Sequence, residues 1–151
     1  TATGTRQVPT DRTPASHFVG TRTVLFGECD PAGVAYTPRI CEYLVEGAMR
    51  FVSEALGKPF ERYMFALNLT LPARNFSVDF LQPVSWDDEV ELRAELGKLS
   101  THALTIRVTA SAASGEVCFA GRVTQVCVDN ENKTITPIPD ELRKALEAKT
   151  G

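Results

Sequence analysis

The sequence predicts an α+β domain in which a five-stranded antiparallel sheet wraps around one long helix. Three observations carry that prediction. Apolar residues between Ile40 and Ala55 recur at helical spacing, the alternation switches to a period of two from Thr70 onward, and one β-rich stretch precedes the helix. The sheet so written has a single apolar face, which must be covered, and the apolar stripe of the helix is the economical cover.

Taken in order, residues 1–16 contain Pro9, Pro14 and a single sizeable apolar side chain, Val8. Such a stretch cannot offset the entropy of its own ordering, so it is expected to be a flexible extension ahead of a domain spanning 17–151. From His17, HFVGTRTVLF places Phe18, Arg22, Val24 and Phe26 on one parity and Val19 and Leu25 on the other. That pattern predicts a strand partly buried on both faces. GECDPAGVAY follows, and its Pro31 and Gly33 exclude regular helix.

Thr37 is placed to cap the next helix, and Pro38 suits a first turn where a missing N–H costs nothing. Ile40, Tyr43, Leu44, Gly47, Ala48, Phe51, Val52 and Ala55 form one stripe at i, i+3, i+4, i+7 spacing. Arg39, Glu42, Glu46, Arg50 and Glu54 lie opposite, with Glu46 and Arg50 in the favourable i, i+4 order. Gly57 and Pro59 end the helix, which is expected over 38–56, and residues 60–68 are expected to add a helical turn or two.

Phe76, Val78 and Phe80, then Val90 to Leu96, then Leu104 to Ala110, alternate with polar residues. A Ser114-Gly115 turn leads to a last strand over 117–128. These read as four strands in an antiparallel meander, followed by a short helix over 139–148. The outer face is expected to carry Arg22, Arg93 and Arg107, and part of it to pair with another subunit.

Composition narrows the function. With 43% hydrophobic and 23% charged residues the chain reads as an ordinary globular protein, and a net charge of -3 with scattered basic residues argues against a nucleic-acid partner. Four cysteines, at 29, 41, 118 and 127, lack any C-x-x-C spacing and read as reduced thiols, not as metal ligands or a redox pair. No run approaches the ~20 apolar residues that span a bilayer, so no membrane partner and a cytoplasmic location are the expectations.

FGECDPAGVAYTP, residues 26–38, resembles the active-site signature of 4-hydroxybenzoyl-CoA thioesterases, within the hotdog-fold acyl-CoA thioesterase superfamily. There too a strand leads into D-P-A-G and then the long helix, and the similarity of order runs from about Phe18 to Pro139. The resemblance implies a hotdog fold and hydrolysis of an acyl or aromatic acyl-CoA thioester to the free acid and CoA. It implies no metal and no cofactor beyond the coenzyme A of the substrate, and a homodimer or homotetramer with sites between subunits. Asp30 matches the aspartate that attacks the carbonyl or activates water, and both roles stay open.

The chemistry asks for the same groups. Thioester hydrolysis needs a nucleophile or base at the carbonyl carbon and donors where negative charge grows on the oxygen. Asp30 can supply the first, and free backbone N–H groups at the helix start near Thr37, aided by the helix dipole, the second. Gly33 lets the chain turn tightly beside a substrate. The plain alternative is that Asp30 is only a turn former next to a proline.

Thr37 also stands where a Tol-Pal-linked branch of the superfamily carries histidine, which removes one candidate base. Glu46 reads as an ion-pair partner of Arg50, and Cys29 has no histidine placed to activate it. Tyr36 and Phe60 are candidates for the acyl pocket. Lys98 and His102 are what remains, in GKLSTH, of the prototype's basic run for CoA phosphates. An acyl-carrier-protein thioesterase and a non-catalytic acyl-CoA binding module are the alternative functions.

Overall fold

The computed structural model describes residues 17–149, so the expected N-terminal extension lies outside the described residues. β1 (His17–Thr23) leads through a single 3-10 turn (Phe26–Glu28) to the long helix α1 (Thr37–Leu56) and a short helix α2 (Phe60–Ala66). The strands β2 (Leu69–Thr70), β3 (Ala73–Phe80), β4 (Glu89–Leu99), β5 (Ala103–Ser111), β6 (Val117–Val126), β7 (Val128–Asp129) and β8 (Thr134–Ile135) follow, then α3 (Asp140–Glu147). The main sheet has five antiparallel strands in the order β1-β4-β5-β6-β3, and β2, β7 and β8 form a small second sheet.

Only β4, β5 and β6 make the expected meander. β3 does not pair with β4, its successor in sequence; it crosses to the far edge and pairs with β6, with Phe76 opposite Val123 and Val78 opposite Gly121. The reason is occupancy. A strand has two edges, and β1 takes the second edge of β4, with Phe18 opposite Ala94 and Arg22 opposite Val90.

The stripe of α1 is buried as its spacing demands, with Tyr43, Leu44, Ala48, Phe51 and Val52 at most 1% exposed. It faces Leu92, Ala94, Ile106, Val108 and Phe119 from the concave side of the sheet, all equally buried. Close approach needs small residues at the contact: a β-carbon on Gly47 would sit 3.0 Å from Val108, and one on Gly121 would meet the Ser77 carbonyl and Leu44. The helix stops at Gly57, whose left-handed backbone (φ 79) returns its N–H to Ser53. Leu142 and Leu146 of α3 close the core beyond it. Among the described residues no helix is long and apolar enough to cross a membrane.

Three local expectations change. Arg22 is not on the outer face: it shares the parity of buried Phe18 and Val24 and points toward α1, because Glu28 and Glu46 wait there as partners. The first strand, expected to run on through Phe26, ends at Thr23, and Phe26 is 75% exposed in the 3-10 turn. Thr37 is the first helical residue and does not cap the helix. Tyr36 holds the cap position with extended backbone and no side-chain capping bond, since its N–H is tied to the Glu28 carbonyl while its own carbonyl accepts from Arg39 and Ile40.

Replacing Gly121 by alanine drives a methyl group into the β3 backbone and Leu44. Overpacking of this kind costs about 1–3 kcal/mol, so Gly121→Ala is expected to lower the midpoint of chemical unfolding without changing its slope. An unchanged midpoint would contradict the close helix-sheet approach.

Candidate active site

Between β1 and α1 the chain folds into a narrow, self-tied loop. Cys29 bridges to Ala35 in antiparallel fashion, the Asp30 N–H donates to the Val34 carbonyl (2.9 Å), and the Gly33 N–H returns to the Asp30 carbonyl (2.9 Å). Gly33 takes φ +84 with open space around it, a conformation that favours glycine, so the tight turn follows from the residue at that position. The loop is pinned outside itself by the Ala35 N–H on the Val84 carbonyl (2.7 Å) and by a bridge from Val34 to Ser85.

Asp30 is half-buried at the head of this loop. One carboxylate oxygen accepts from the Ala32 N–H (2.9 Å), as aspartates in turns do. The other accepts from none of the described residues. Seven residues further on α1 begins with one available donor. Pro38 has no N–H, those of Arg39 and Ile40 are taken by Tyr36, and the Thr37 N–H donates to none of the described residues. A groove of about 310 Å³ runs beside the loop and the helix start, walled by Val34, Thr37, Ile40, Phe80, Leu81 and Val84. A larger hollow, about 460 Å³, lies away from it on the outer surface among Thr21, Glu91, Arg93 and Ser111.

The root of the loop is held by a cluster not legible as a site in the sequence. Glu28 is buried at 8% exposure, and its carboxylate accepts from the Leu25 N–H (2.9 Å), the Tyr43 hydroxyl (2.7 Å) and the Arg22 guanidinium (2.6 Å). Arg22 lies 4.6 Å over the Tyr43 ring and reaches Glu46 at 3.4 Å, and Glu46 meets Arg50 at 3.3 Å. Burial opposes ionisation of Glu28, but the three donors outweigh it and hold the carboxyl below the ordinary glutamate value. Burial and the Glu28 carboxylate together push the Tyr43 hydroxyl well up, keeping it a donor.

The signals for this cluster were present but indirect: a charged Arg22 on the parity of Phe18, and a tyrosine on an apolar helix stripe, each demand a buried polar partner.

The structure gathers some candidate residues and separates others. Asp30, Gly33, Tyr36 and Thr37 stand together on the loop and helix start, with Tyr36 55% exposed. Phe60 is buried in the core next to Ser53, near the other end of the 20-residue α1, which is about 30 Å long. Lys98 and His102 are exposed at the far end of β4, about 30 Å along the strand from the Glu89 end that abuts the loop. Lys98 lines a polar hollow with Asn75, Arg107 and Arg122. Glu46 is an ion-pair partner of Arg50, as its spacing indicated. Burial first, then the flanking Asp30 and Glu28, push the Cys29 thiol up, away from a reactive thiolate. Among the described residues no three His, Cys, Asp or Glu side chains cluster as metal ligands would.

Sheet, enclosed helix and the loop that joins them define the hotdog class of thioester hydrolases. The chain belongs to the thioesterase-like superfamily, whose family model matches residues 24–146. It is similar to a 1,4-dihydroxy-2-naphthoyl-CoA hydrolase of Nostoc punctiforme, 28% identical over 134 residues that cover 86% of each chain. Among solved structures it resembles a thioesterase-superfamily protein from Jannaschia sp. at 28% identity, covering 95% of this chain and 96% of that one with a TM-score of 0.78. A 1,4-dihydroxy-2-naphthoyl-CoA thioesterase from Synechocystis has the same fold, with TM-score 0.78 at 20% identity over 86% of this chain and 95% of that one.

Because the native state lowers the Glu28 pKa, ionised Glu28 stabilises the fold. That contribution is fully present above the ordinary value of 4.5 and is lost as pH falls through the depressed native value. Denaturant midpoints of wild type and Glu28→Gln, measured across that acid range, are expected to lie far apart at neutral pH and to converge in acid. A gap independent of pH contradicts the ionised, multiply bonded carboxylate.

Proposed function

We propose that this protein hydrolyses an aromatic acyl-CoA thioester, of the hydroxybenzoyl or dihydroxynaphthoyl kind, to the free acid and CoA. The observation that carries the reading is the pairing of a carboxylate with one free oxygen, Asp30, and an unengaged helix-start donor, the Thr37 N–H, on one tied loop beside an apolar groove. The names of the relatives in Nostoc punctiforme and Synechocystis support the aromatic acyl class.

In this reading the acyl group lies in the groove and its carbonyl oxygen faces the Thr37 N–H. Asp30 attacks the carbonyl carbon directly, or takes a proton from a water that does. Negative charge then grows on the oxygen, where the N–H and the positive end of α1 stabilise it more than they stabilise the neutral carbonyl. Collapse breaks the carbon-sulfur bond and releases CoA as its thiolate; the water route leaves the free acid directly, and the direct route leaves a mixed anhydride on Asp30 that a water then hydrolyses to the acid and the free carboxylate. Gly33 keeps the loop tight enough for the substrate to approach, and Tyr36 offers an exposed ring at the mouth.

The working unit is a homodimer or homotetramer. β3 is an edge strand of eight residues, mostly exposed, and Phe80 at its end, like Leu81 and Trp86 beyond it, presents more than half of its surface. Open edges and apolar patches of this kind favour association. A second copy can bring residues that one chain holds far from its own Asp30, and this is the route by which Lys98, His102 and Phe60 contribute to binding the CoA phosphates and the acyl group.

A panel of aryl- and alkyl-CoA thioesters, followed by release of free thiol, tests the activity, and a solution mass tests the assembly. Turnover is expected to favour the aryl substrates, on particles of at least two chains. Asp30→Asn is expected to lower kcat by about 10²- to 10⁴-fold. Unchanged kcat in a folded variant removes Asp30 from the mechanism, and an active monomer removes the shared site.

A further inference from the structure

We propose that Glu28 is a positioning residue for this reaction: its buried carboxylate, gripped by Tyr43 and Arg22, sets the Asp30 loop against the start of α1. The proposal rests on the reading of Asp30 given above and adds to it the group that holds Asp30 and the Thr37 N–H in one frame.

Glu28 is bound at both its side chain and its backbone, and the two sets of bonds point in different directions. Oε1 accepts from the Leu25 N–H at the start of the 3-10 turn and from the Tyr43 hydroxyl in the second turn of α1. Oε2 accepts from Arg22 of β1. Its main-chain carbonyl accepts from the Tyr36 N–H (2.9 Å), the residue immediately before Thr37. Two residues after Glu28 comes Asp30. One residue thus ties the strand, the turn, the cap of α1 and its second turn, and any displacement of it moves the carboxylate of Asp30 relative to the Thr37 donor.

A purely structural ion pair would not need this arrangement. Burying a carboxylate and a guanidinium costs several kcal/mol of desolvation for each ion, and packed apolar side chains of similar volume stabilise a core as well or better. What the charged cluster adds is direction. Three donors on three separate segments converge on one carboxylate, and each bond is short and angle-dependent in a way that apolar contacts are not. The cluster touches no atom of the substrate groove, so its effect on turnover is exerted through the geometry of the loop.

Glutamine at 28 tests this with almost no change of shape. Its amide oxygen still accepts from Leu25 and Tyr43, but its NH2 group then faces the donors of Arg22, so that one corner of the cluster is broken. Tyr43→Phe is the milder variant, removing one donor and leaving the charge pair intact. Steady-state kinetics with an aryl-CoA and amide hydrogen exchange on the free enzyme read out the two effects separately.

The expected result for Glu28→Gln is a fall in kcat of about 10- to 100-fold with KM within about threefold, as for misplacement of a catalytic group by a fraction of an ångström to an ångström. The amides of Asp30, Gly33 and Tyr36 are expected to lose protection at least about tenfold more than those of Leu92 and Ile106 in the sheet, which report the general loss of stability. Tyr43→Phe is expected to show the same pattern at smaller amplitude.

Unchanged kcat in both folded variants overturns the proposal. So does a loss of kcat in which the sheet amides lose protection as much as the loop, because that is general destabilisation. If Asp30→Asn keeps full activity, the reading of Asp30 fails, and exchange at the loop still decides whether Glu28 holds it.

Discussion

A five-stranded sheet with one apolar face has to be filled, and in this chain a single helix of 20 residues does most of the filling. Gly47 and Gly121 let that helix lie close to the strands, and Tyr43, Leu44, Phe51 and Phe119 interlock where they meet. Once the body of α1 is fixed in this way, the position of its first turn is fixed too. The loop from Cys29 to Tyr36 must then deliver Asp30 to wherever that first turn lies. Packing at the centre of the molecule therefore determines the distance between a carboxylate and a backbone donor at its edge.

Two kinds of group meet at that edge, and they are treated oppositely. The Glu28 carboxylate is bonded at both oxygens, by the Leu25 N–H, the Tyr43 hydroxyl and the Arg22 guanidinium. Asp30 keeps one oxygen without a partner among the described residues, and the Thr37 N–H likewise. Hydrogen-bonding capacity left open at the surface of an otherwise tied segment is an asset in binding, since a ligand's polar atoms can take it up. Cys29, lying between Glu28 and Asp30, is made less acidic by burial and by its two neighbours, so the carboxylate beside it is the better candidate for chemistry.

Much of this was readable from the residues, for identifiable reasons. The stripe from Ile40 to Ala55 has one physical interpretation, and Gly57 and Pro59 mark its end; the structure places the helix over Thr37–Leu56. Asp30 and Gly33 are marked by the resemblance of FGECDPAGVAYTP to a thioesterase signature, and the structure puts both on the tied loop ahead of α1. The order of strands was not readable, because alternation reports which face is apolar and not which edge is free; β1 claimed the edge of β4 that a meander would have left to β3. Arg22 was misplaced because a single charged residue on an inward parity looks like a solvated one until its partners, six and 24 residues away in sequence, are seen beside it. The Thr37 cap failed for a similar reason: a backbone bond from Tyr36 to Glu28 fixed the helix start in place of a side chain.

Separation within the chain bears on assembly as well. Lys98 and His102 lie about 30 Å from the loop along β4 and Phe60, beside Ser53, about 24 Å along α1, so a site that uses them is built from more than one copy. Asp30 and the Thr37 N–H need no such help, and they make the sharpest claim about the molecule. Its most direct test is a crystal structure with a non-hydrolysable aryl-CoA analogue bound. The carbonyl oxygen is expected about 3 Å from the Thr37 nitrogen, with the adjoining carbon within about 3.5 Å of an Asp30 oxygen or of a water that Asp30 holds. A carbonyl group bound away from both, in every copy of the assembly, would contradict it.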